Sequence, residues 1–352
     1  GTPVAHVLAR VQNADTEPRG EILQLYVDPD HWGRSYGRTL LAVGTRALHR
    51  SGCDTAELWV LDGNNRAIDL YERAGWQLDG RREVHVVFGI DAPEIAMSTT
   101  LTGPDVVRDN RAFWDDQAAW YATKADAAWS RTPRWGIFGI DDADVSIFPD
   151  VADLDVVELG CGTGYVSGWA LATGARSAVG IDNSPKQLAT AQAMAAKHER
   201  SLPFVHGDAH RLPFADRSFD VAINEYGAAI WCDPHIWIPE AARVLRPGGL
   251  LWFLGNSVQL MLCMAEFWDE PAGTALRRPL RGLGHMTWLD TADSEFHVSH
   301  GEMISILTRS GFAVEALHEL YAPEGATSDY GFVGAEWGSQ WPVEEVWVAR
   351  RR

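Results

Sequence analysis

The sequence predicts an α/β protein whose larger part is a mostly parallel sheet with helices on both faces. Short apolar runs alternate with helical patterns from residue 156 onward, and several of those runs end in Gly, Asp or Asn. The chain of 352 residues exceeds one typical domain. A small, polar, aperiodic stretch at 96–109 (AMSTTLTGPDVVRD) reads as a linker between two segments, 1–95 and 110–352.

In the first segment, GEILQLYV at 20–27 alternates as a strand. The run at 37–51 places Leu40, Leu41, Gly44 and Leu48 at helical spacing and stops at Gly52. Residues 55–61 read as a strand, 65–74 as a helix closed by Gly75, and 83–88 as a last strand. In the second segment, 112–128 reads as a helix bearing Trp114, Trp120 and Tyr121. Strands then fall at 156–159, 178–181, 204–206, 221–224 and 250–254, with helices between them up to 173, over 184–198 and through 244. A less regular stretch, 255–300, precedes a helix at 301–309 and strands at 312–321 and 344–349. In such sheets ligands bind at the carboxyl ends of the strands, where the strand order reverses.

Composition narrows the partners. Against 30 Lys and Arg stand 48 Asp and Glu, a net charge of −18, which argues against a nucleic-acid or anionic-membrane surface. Cys53, Cys161, Cys232 and Cys263 are far apart and form no CxxC pair, so reduced thiols in a cytoplasm are expected, with no metal site. No apolar run is long enough to span a membrane, and the N-terminus does not read as a signal peptide.

The densest signal is VVELGCGTG at 156–164, followed by VGID at 179–182. Glycine at every second position lets the loop turn tightly and lets a ligand reach the backbone without meeting a Cβ. A carboxylate about 20 residues on is placed to accept from two ribose hydroxyls. This is a nucleoside-cofactor pattern. A nicotinamide fingerprint would read GxGxxG, whereas here the loop is GxGxG with Glu158 upstream.

Residues 110–352 resemble the class I S-adenosylmethionine-dependent methyltransferase family. The resemblance rests on four ordered motifs: VVELGCGTG at 156–164, GID at 180–182, GDAHRLPFADRSFD at 207–220 and ARVLRPGGLLWFLG at 242–255. It implies a Rossmann-like, seven-stranded, mostly parallel sheet and S-adenosylmethionine as cofactor. By that resemblance Gly160, Gly162 and Gly164 form the bed beneath the methionine and ribose, and Glu158 orients the loop and the ammonium end. Asp182 takes the ribose hydroxyls, Asn183 lies beside the adenine edge, and Asp208 with Ala209 meets the adenine. Asn224 closes over the sulfonium, and Tyr121 on the preceding helix completes the set.

The transferred methyl already sits on an activated leaving group, so a base is needed only if the acceptor holds its proton at neutral pH. Glu225, Tyr226, His235, His297 and His300 lie near strand ends, and no spacing singles one out, so no catalytic residue is named. Aromatics crowd the segments that could cover the site: Trp114, Trp120, Tyr121, Trp129 and Trp135 before the first strand, Phe267, Trp268, Trp288 and Phe296 after the fifth, and Tyr321, Tyr330, Phe332, Trp337 and Trp341 before the last. They suit either a small, partly apolar acceptor or the core of a cap.

Residues 20–90 resemble the carboxyl-terminal half of the GNAT-type N-acetyltransferase family, through LYVDPDHWGRSYGRTLL at 25–41 and LWVLDGNNRAIDLYERAGW at 58–76. The resemblance implies coenzyme A pyrophosphate at the loop 32–37, ahead of a helix N-terminus, with Asn65 touching cofactor and Tyr71 as general acid. The loop departs from the family's QxxGxG or RxxGxG, with Trp32 for the first residue and Ser35 for the first glycine. By that resemblance the family's opening strands and helices would be missing ahead of residue 1, so the segment reads as a partial domain, completed by another chain, by the second segment, or not at all. Acetyl-coenzyme A binding and a scaffolding role both stay open there. The functional expectations are thus methyl transfer to a small molecule, a cofactor sensor without turnover, or a methyl- and acetyltransferase, with a homodimer admitted.

Overall fold

The computed structural model describes residues 4–12, 18–32, 36–87, 90–101, 106–265, 270–288 and 293–352. Two compact units divide the chain between Asp105 and Val106.

The first unit is a five-stranded sheet built from β1 (Ala5–Gln12), β2 (Arg19–Val27), β3 (Thr55–Leu61), β4 (Gln77–Val87) and β5 (Ile90–Thr100), in the order β1-β2-β3-β5-β4. Helices α1 (Tyr36–Arg50) and α2 (Asn65–Arg73) connect the strands around the parallel pair β2 and β3. A Cβ on Gly44 would lie 2.9 Å from Ile22 Cδ1, so glycine there lets α1 settle onto the sheet. Ile22, Leu41, Leu58, Trp76 and Met97 form the core.

Two strands escape the sequence reading. β1 precedes the first expected strand, and β5 occupies 90–100, so residues 96–100 are strand and not linker. Ala96 and Met97 are wholly buried, because β5 is paired on both edges, by β3 and β4.

The second unit opens with α3 (Val106–Ser130), a short ribbon of β6 (Arg134–Trp135) and β7 (Ile140–Asp141), and α4 (Asp142–Val145). Its seven-stranded sheet has the order β10-β9-β8-β11-β12-β16-β15, from β8 (Asp155–Leu159), β9 (Ser177–Asp182), β10 (Phe204–His206), β11 (Phe219–Glu225), β12 (Leu245–Asn256), β15 (Phe312–Leu320) and β16 (Glu344–Arg351). β16 alone runs antiparallel to its neighbours, β12 and β15. Helices α5 (Tyr165–Ala172), α6 (Pro185–Lys197), α7 (Gly227–Trp231), α8 (Pro234–Val244) and α10 (His300–Arg309) connect the strands. The insert after β12 holds α9 (Val258–Cys263) and the ribbon β13 (His285–Met286) with β14 (Glu295–Phe296), and α11 (Ala335–Gly338) precedes β16.

The strand runs are apolar throughout because both faces are covered. Val156, Ile223, Trp252, Leu254 and Val346 pack on one side, and Val157, Leu159, Leu251, Phe253 and Trp347 on the other. Helix starts follow local chemistry: Ser184 accepts from Gln187 N–H with Pro185 behind it, and Asp233 caps α8 with Pro234 behind it. Strand order reverses between β8 and β11, which opens a crevice at their carboxyl ends. Trp288, Phe332 and Trp337 lie in a separate buried cap cluster, as the cap-core reading of the aromatics expects; Phe267 and Trp268 lie outside the described residues.

Candidate functional site

Gly160, Gly162 and Gly164 all have left-handed backbones, with φ of +73°, +50° and +78°. Their surroundings differ. A Cβ at Gly160 would lie 2.6 Å from Gly227 Cα, and one at Gly164 2.6 Å from Phe204 Cε1, so these two pack the loop against α7 and β10. A Cβ at Gly162 would meet no described atom within 4 Å. The middle of the loop therefore turns bare backbone outward at the sheet's carboxyl edge.

Asp182, at the end of β9, supports that bare stretch. Its Oδ2 accepts from Gly162 N–H at 2.8 Å, and its Oδ1 accepts from Ser184 N–H at 2.7 Å. Each oxygen keeps further acceptor capacity, and the side chain is half-buried. Burial pushes its carboxyl above the usual range, against the hydrogen bonds that favour the charged form.

Glu158 and Asn224 are turned inward. Glu158 is buried, and its Oε2 accepts from the N–H and hydroxyl of Ser167 at 2.7 and 2.5 Å, satisfying the first turn of α5. Burial pushes its carboxyl up to about 8. Asn224 donates to Leu159 C=O and accepts from Ala229 N–H at 3.0 Å, bracing the end of β8 against α7. Both residues shape the loop from behind.

Asn183 is also occupied: it accepts from Arg111 Nε at 2.8 Å and donates to Val107 C=O at 2.7 Å, which ties α3 to the end of β9. Asp208 is half-buried and accepts from His210 N–H at 3.0 Å, with Ala209 buried beside it. Burial works to raise the Asp208 carboxyl, but the hydrogen bonds from His210 leave it below the ordinary value. Ligand atoms of Asp208, His210 and Cys232 lie within 4.8 Å of one another. His210 Nε2 accepts from Asp233 N–H at 2.9 Å, which places the ring proton on Nδ1, facing Asp208. The histidine thus orders the loop through both nitrogens. Tyr121 is half-buried on α3, its hydroxyl 3.1 Å from that of Tyr330 and its ring against Trp114 and Trp120.

Sequence reasoning missed an acid–phenol cluster at the same edge. Glu225 accepts from the Tyr165 hydroxyl and from Gly136 N–H at 3.4 Å. Glu344 accepts from the Tyr226 hydroxyl at 2.5 Å and from Ile137 N–H at 2.6 Å. Among the described residues neither carboxylate has a basic side chain as a hydrogen-bond or ion-pair partner, and burial raises both, Glu344 to about 7. Glu225 and Tyr226 were among the sequence candidates; Glu344 and Tyr165 were not. The signal available was a carboxylate pair, Glu344-Glu345, opening an apolar strand. The histidine candidates lie elsewhere: His235 is at the surface with Glu302, His297 is buried on Glu295 at 2.7 Å, and His300 bonds Glu345 at 2.8 Å.

In the first unit, β2 and β3 pair from Gly20–Ala56 to Ile22–Leu58 and no further. Tyr71 is buried against Trp76, and burial pushes its phenol up. Asn65 opens α2, while Asn64 supplies the cap by accepting from Ala67 N–H at 3.3 Å. Trp32 donates to Val27 C=O at 2.8 Å and carries the Arg66 guanidinium 3.5 Å above its ring. Residues 33–35 of the expected coenzyme A loop lie outside the described residues.

Comparison with known proteins agrees with both units. Residues 157–253 match the methyltransferase domain family, and residues 1–76 the acetyltransferase (GNAT) family. The second unit is thus similar to methyltransferase domains and the first to the GNAT family. It is 41% identical over 149 residues to a demethylmenaquinone methyltransferase of Corynebacterium kroppenstedtii, covering 42% of this chain and 59% of that one. It is 38% identical over 78 residues to a mycothiol acetyltransferase of Propionibacterium freudenreichii, covering 22% of this chain and 25% of that one. The chain thus spans less than two thirds of these relatives. A solved S-adenosylmethionine-dependent methyltransferase from Mesorhizobium loti aligns over 61% of this chain and 100% of its own, with 26% identity and a TM-score of 0.49.

Proposed function

We propose that the second unit is an S-adenosylmethionine-dependent methyltransferase acting on a small-molecule acceptor. The observation that carries this reading is the outward backbone of Gly162, held through its N–H by a half-buried Asp182 that retains acceptor capacity. That is a cradle a single Cβ would fill, beside a carboxylate suited to ribose hydroxyls. Gly160, Gly162 and Gly164 would form the bed, Asp182 would accept from the ribose, and Asp208 with Ala209 would meet the adenine, with Tyr121 over the site. Glu158, Asn183 and Asn224 would act from behind, since their polar groups are engaged within the protein.

When bound, S-adenosylmethionine supplies a methyl group on a cationic sulfur. The chain's own residues then have to align the acceptor and exclude water. Calorimetric titration of wild type and Asp182→Ala with S-adenosylmethionine tests the reading, with circular dichroism to check the fold. Equal affinity in a folded variant would sink it.

The family match of residues 1–76, with a buried Tyr71 and a parallel β2–β3 pair that opens after three residue pairs, supports a second reading, coenzyme A binding in the first unit. A thermal-shift titration with acetyl-coenzyme A decides it, absence of any shift counting against. Four separate free cysteines fit a reducing, cytoplasmic setting. No described helix is long and apolar enough to cross a membrane.

A further inference from the structure

Tyr226 follows β11 directly, with φ +58° and ψ −64°, a conformation costly for a residue with a Cβ. The turn directs a half-buried phenol onto Glu344, which sits at the start of the neighbouring part of the sheet, where Asn256 pairs with Glu344. Glu344 is 0% exposed. Its Oε1 takes both the Tyr226 hydroxyl and the Ile137 N–H, while its Oε2 is buried without a hydrogen-bond partner among the described residues. A Cβ at Gly136 would lie 2.5 Å from that oxygen, so only glycine lets the carboxyl rest there. The adjacent N–H groups of Gly136 and Ile137 thus hold two carboxylates, half-buried Glu225 and buried Glu344, in one site. Two like charges so placed do not both ionise freely, and each makes the other a better proton acceptor.

We propose that Tyr226 and Glu344 form a proton relay for the methyl acceptor, which therefore reacts through an O–H or N–H group. The inference rests on the methyl-transfer reading above and narrows its acceptor. The acceptor's lone pair forms the new bond to the methyl carbon, and the electron pair of the broken C–S bond stays on sulfur. The acceptor's proton passes to Tyr226 Oη as Tyr226 gives its own proton to Glu344, so charge and protons balance. The phenol itself stays neutral, because burial and the carboxylates raise it well above its ordinary value. The ionisable groups acting on the relay are Glu225 on β11 and Tyr330 before α11; Glu225 in turn feels Tyr165 on α5, Tyr121 on α3, Glu158 on β8, and Arg131, whose charge favours ionised Glu225. A relay of this kind makes transfer rise with pH until Glu344 is ionised.

The first test needs no turnover. Protein labelled with 13C at the glutamate side-chain carboxyl carbons is titrated by NMR as wild type, Glu344→Gln and Tyr226→Phe. One resonance with a midpoint near 7 should vanish in Glu344→Gln and move to higher pH in Tyr226→Phe, which removes a donor to the charged form. A midpoint in the usual carboxylate range, or no movement in Tyr226→Phe, overturns the relay. The second test follows label from methyl-14C S-adenosylmethionine into the small-molecule fraction of a bacterial extract. Both variants should bind S-adenosylmethionine within about threefold of wild type by calorimetry, yet transfer label ~100-fold more slowly with a flattened pH profile. Wild-type transfer by either variant overturns the relay alone. No transfer by a wild type that binds the cofactor overturns the methyl-transfer reading, and the relay with it.

Discussion

Asp182 Oδ2 accepts the backbone N–H of Gly162 at 2.8 Å, so one carboxylate both fixes the glycine loop and flanks its open face. The two roles can be separated. Asp182→Asn keeps an oxygen for one backbone donor, whereas Asp182→Ala leaves both the Gly162 and Ser184 N–H groups without this partner. Hydrogen bonds to a charged acceptor contribute about 1.5–3 kcal/mol each. Calorimetry should therefore show S-adenosylmethionine affinity reduced roughly 100-fold in Asp182→Ala and less in Asp182→Asn. Loss of melting temperature with unchanged affinity would confine the residue to the loop and remove the cofactor reading with it.

Gly162 and Gly160 should respond differently to alanine. At Gly162 the penalty is the left-handed backbone, about 1–2 kcal/mol, because no described atom meets the new methyl. That methyl would occupy the ligand's side of the loop, so affinity should fall by at least about tenfold in a folded protein. At Gly160 the methyl runs into the Gly227 backbone, which cannot give way as a flexible side chain would. Overpacking of this kind costs about 3 kcal/mol, and expression or melting should suffer before binding does. Chemical denaturation beside calorimetry on the two variants checks the split.

Stability should fall as pH rises through neutrality. Burial holds Glu158 at about 8 and Glu344 at about 7, against 4.5 for the ordinary glutamate carboxyl. Each binds its proton more tightly folded than unfolded. Its contribution is complete below about 4.5 and is lost as pH climbs through those folded values. Asp155 acts in the opposite sense, held low by Arg176, but only at pH below the ordinary aspartate value. Melting followed by tryptophan fluorescence should drop by roughly 5 °C or more between pH 5 and 8. Glu158→Gln, whose side-chain oxygen can still accept from Ser167, should flatten the drop. A profile unchanged by that substitution would mean that Glu158 is already ionised in the folded protein.

The parts legible in the sequence were those with strong local chemistry. β8, β9 and β10 are short apolar runs that end at a glycine loop, an aspartate or a histidine, and their boundaries follow directly. β5 was not legible: IDAPEIAMSTT carries Pro93 and small polar residues, and only pairing with β3 and β4 makes it a buried strand. Site residues divide the same way. The glycines and Asp182 announce themselves by spacing, whereas Glu344 reaches the site because β16 inserts between β12 and β15 and sets Asn256 opposite it. Inward use of Asn183 and Asn224 was equally invisible, since their partners Arg111, Val107 and Leu159 arise only from the fold's close approach of α3 to β9 and of β11 to β8.

Tyr121 and Tyr330 offer a last separation of binding from scaffolding. Their hydroxyls are 3.1 Å apart, so phenylalanine at either position removes the same hydrogen bond between α3 and the segment before α11. A bond of that kind is worth about 1 kcal/mol. Tyr121→Phe and Tyr330→Phe should therefore lower stability by similar amounts in denaturant. If Tyr121 also faces the cofactor, its variant alone should weaken S-adenosylmethionine binding, by about fivefold for one lost neutral hydrogen bond. Equal affinities in the two variants would place Tyr121 in the framework and leave the cofactor to the glycine loop, Asp182 and Asp208. The surrounding rings favour the first outcome: Trp114 packs 5.4 Å from Tyr121 and 5.0 Å from Trp231, the last residue of α7, whose first residue, Gly227, packs against Gly160 of the loop.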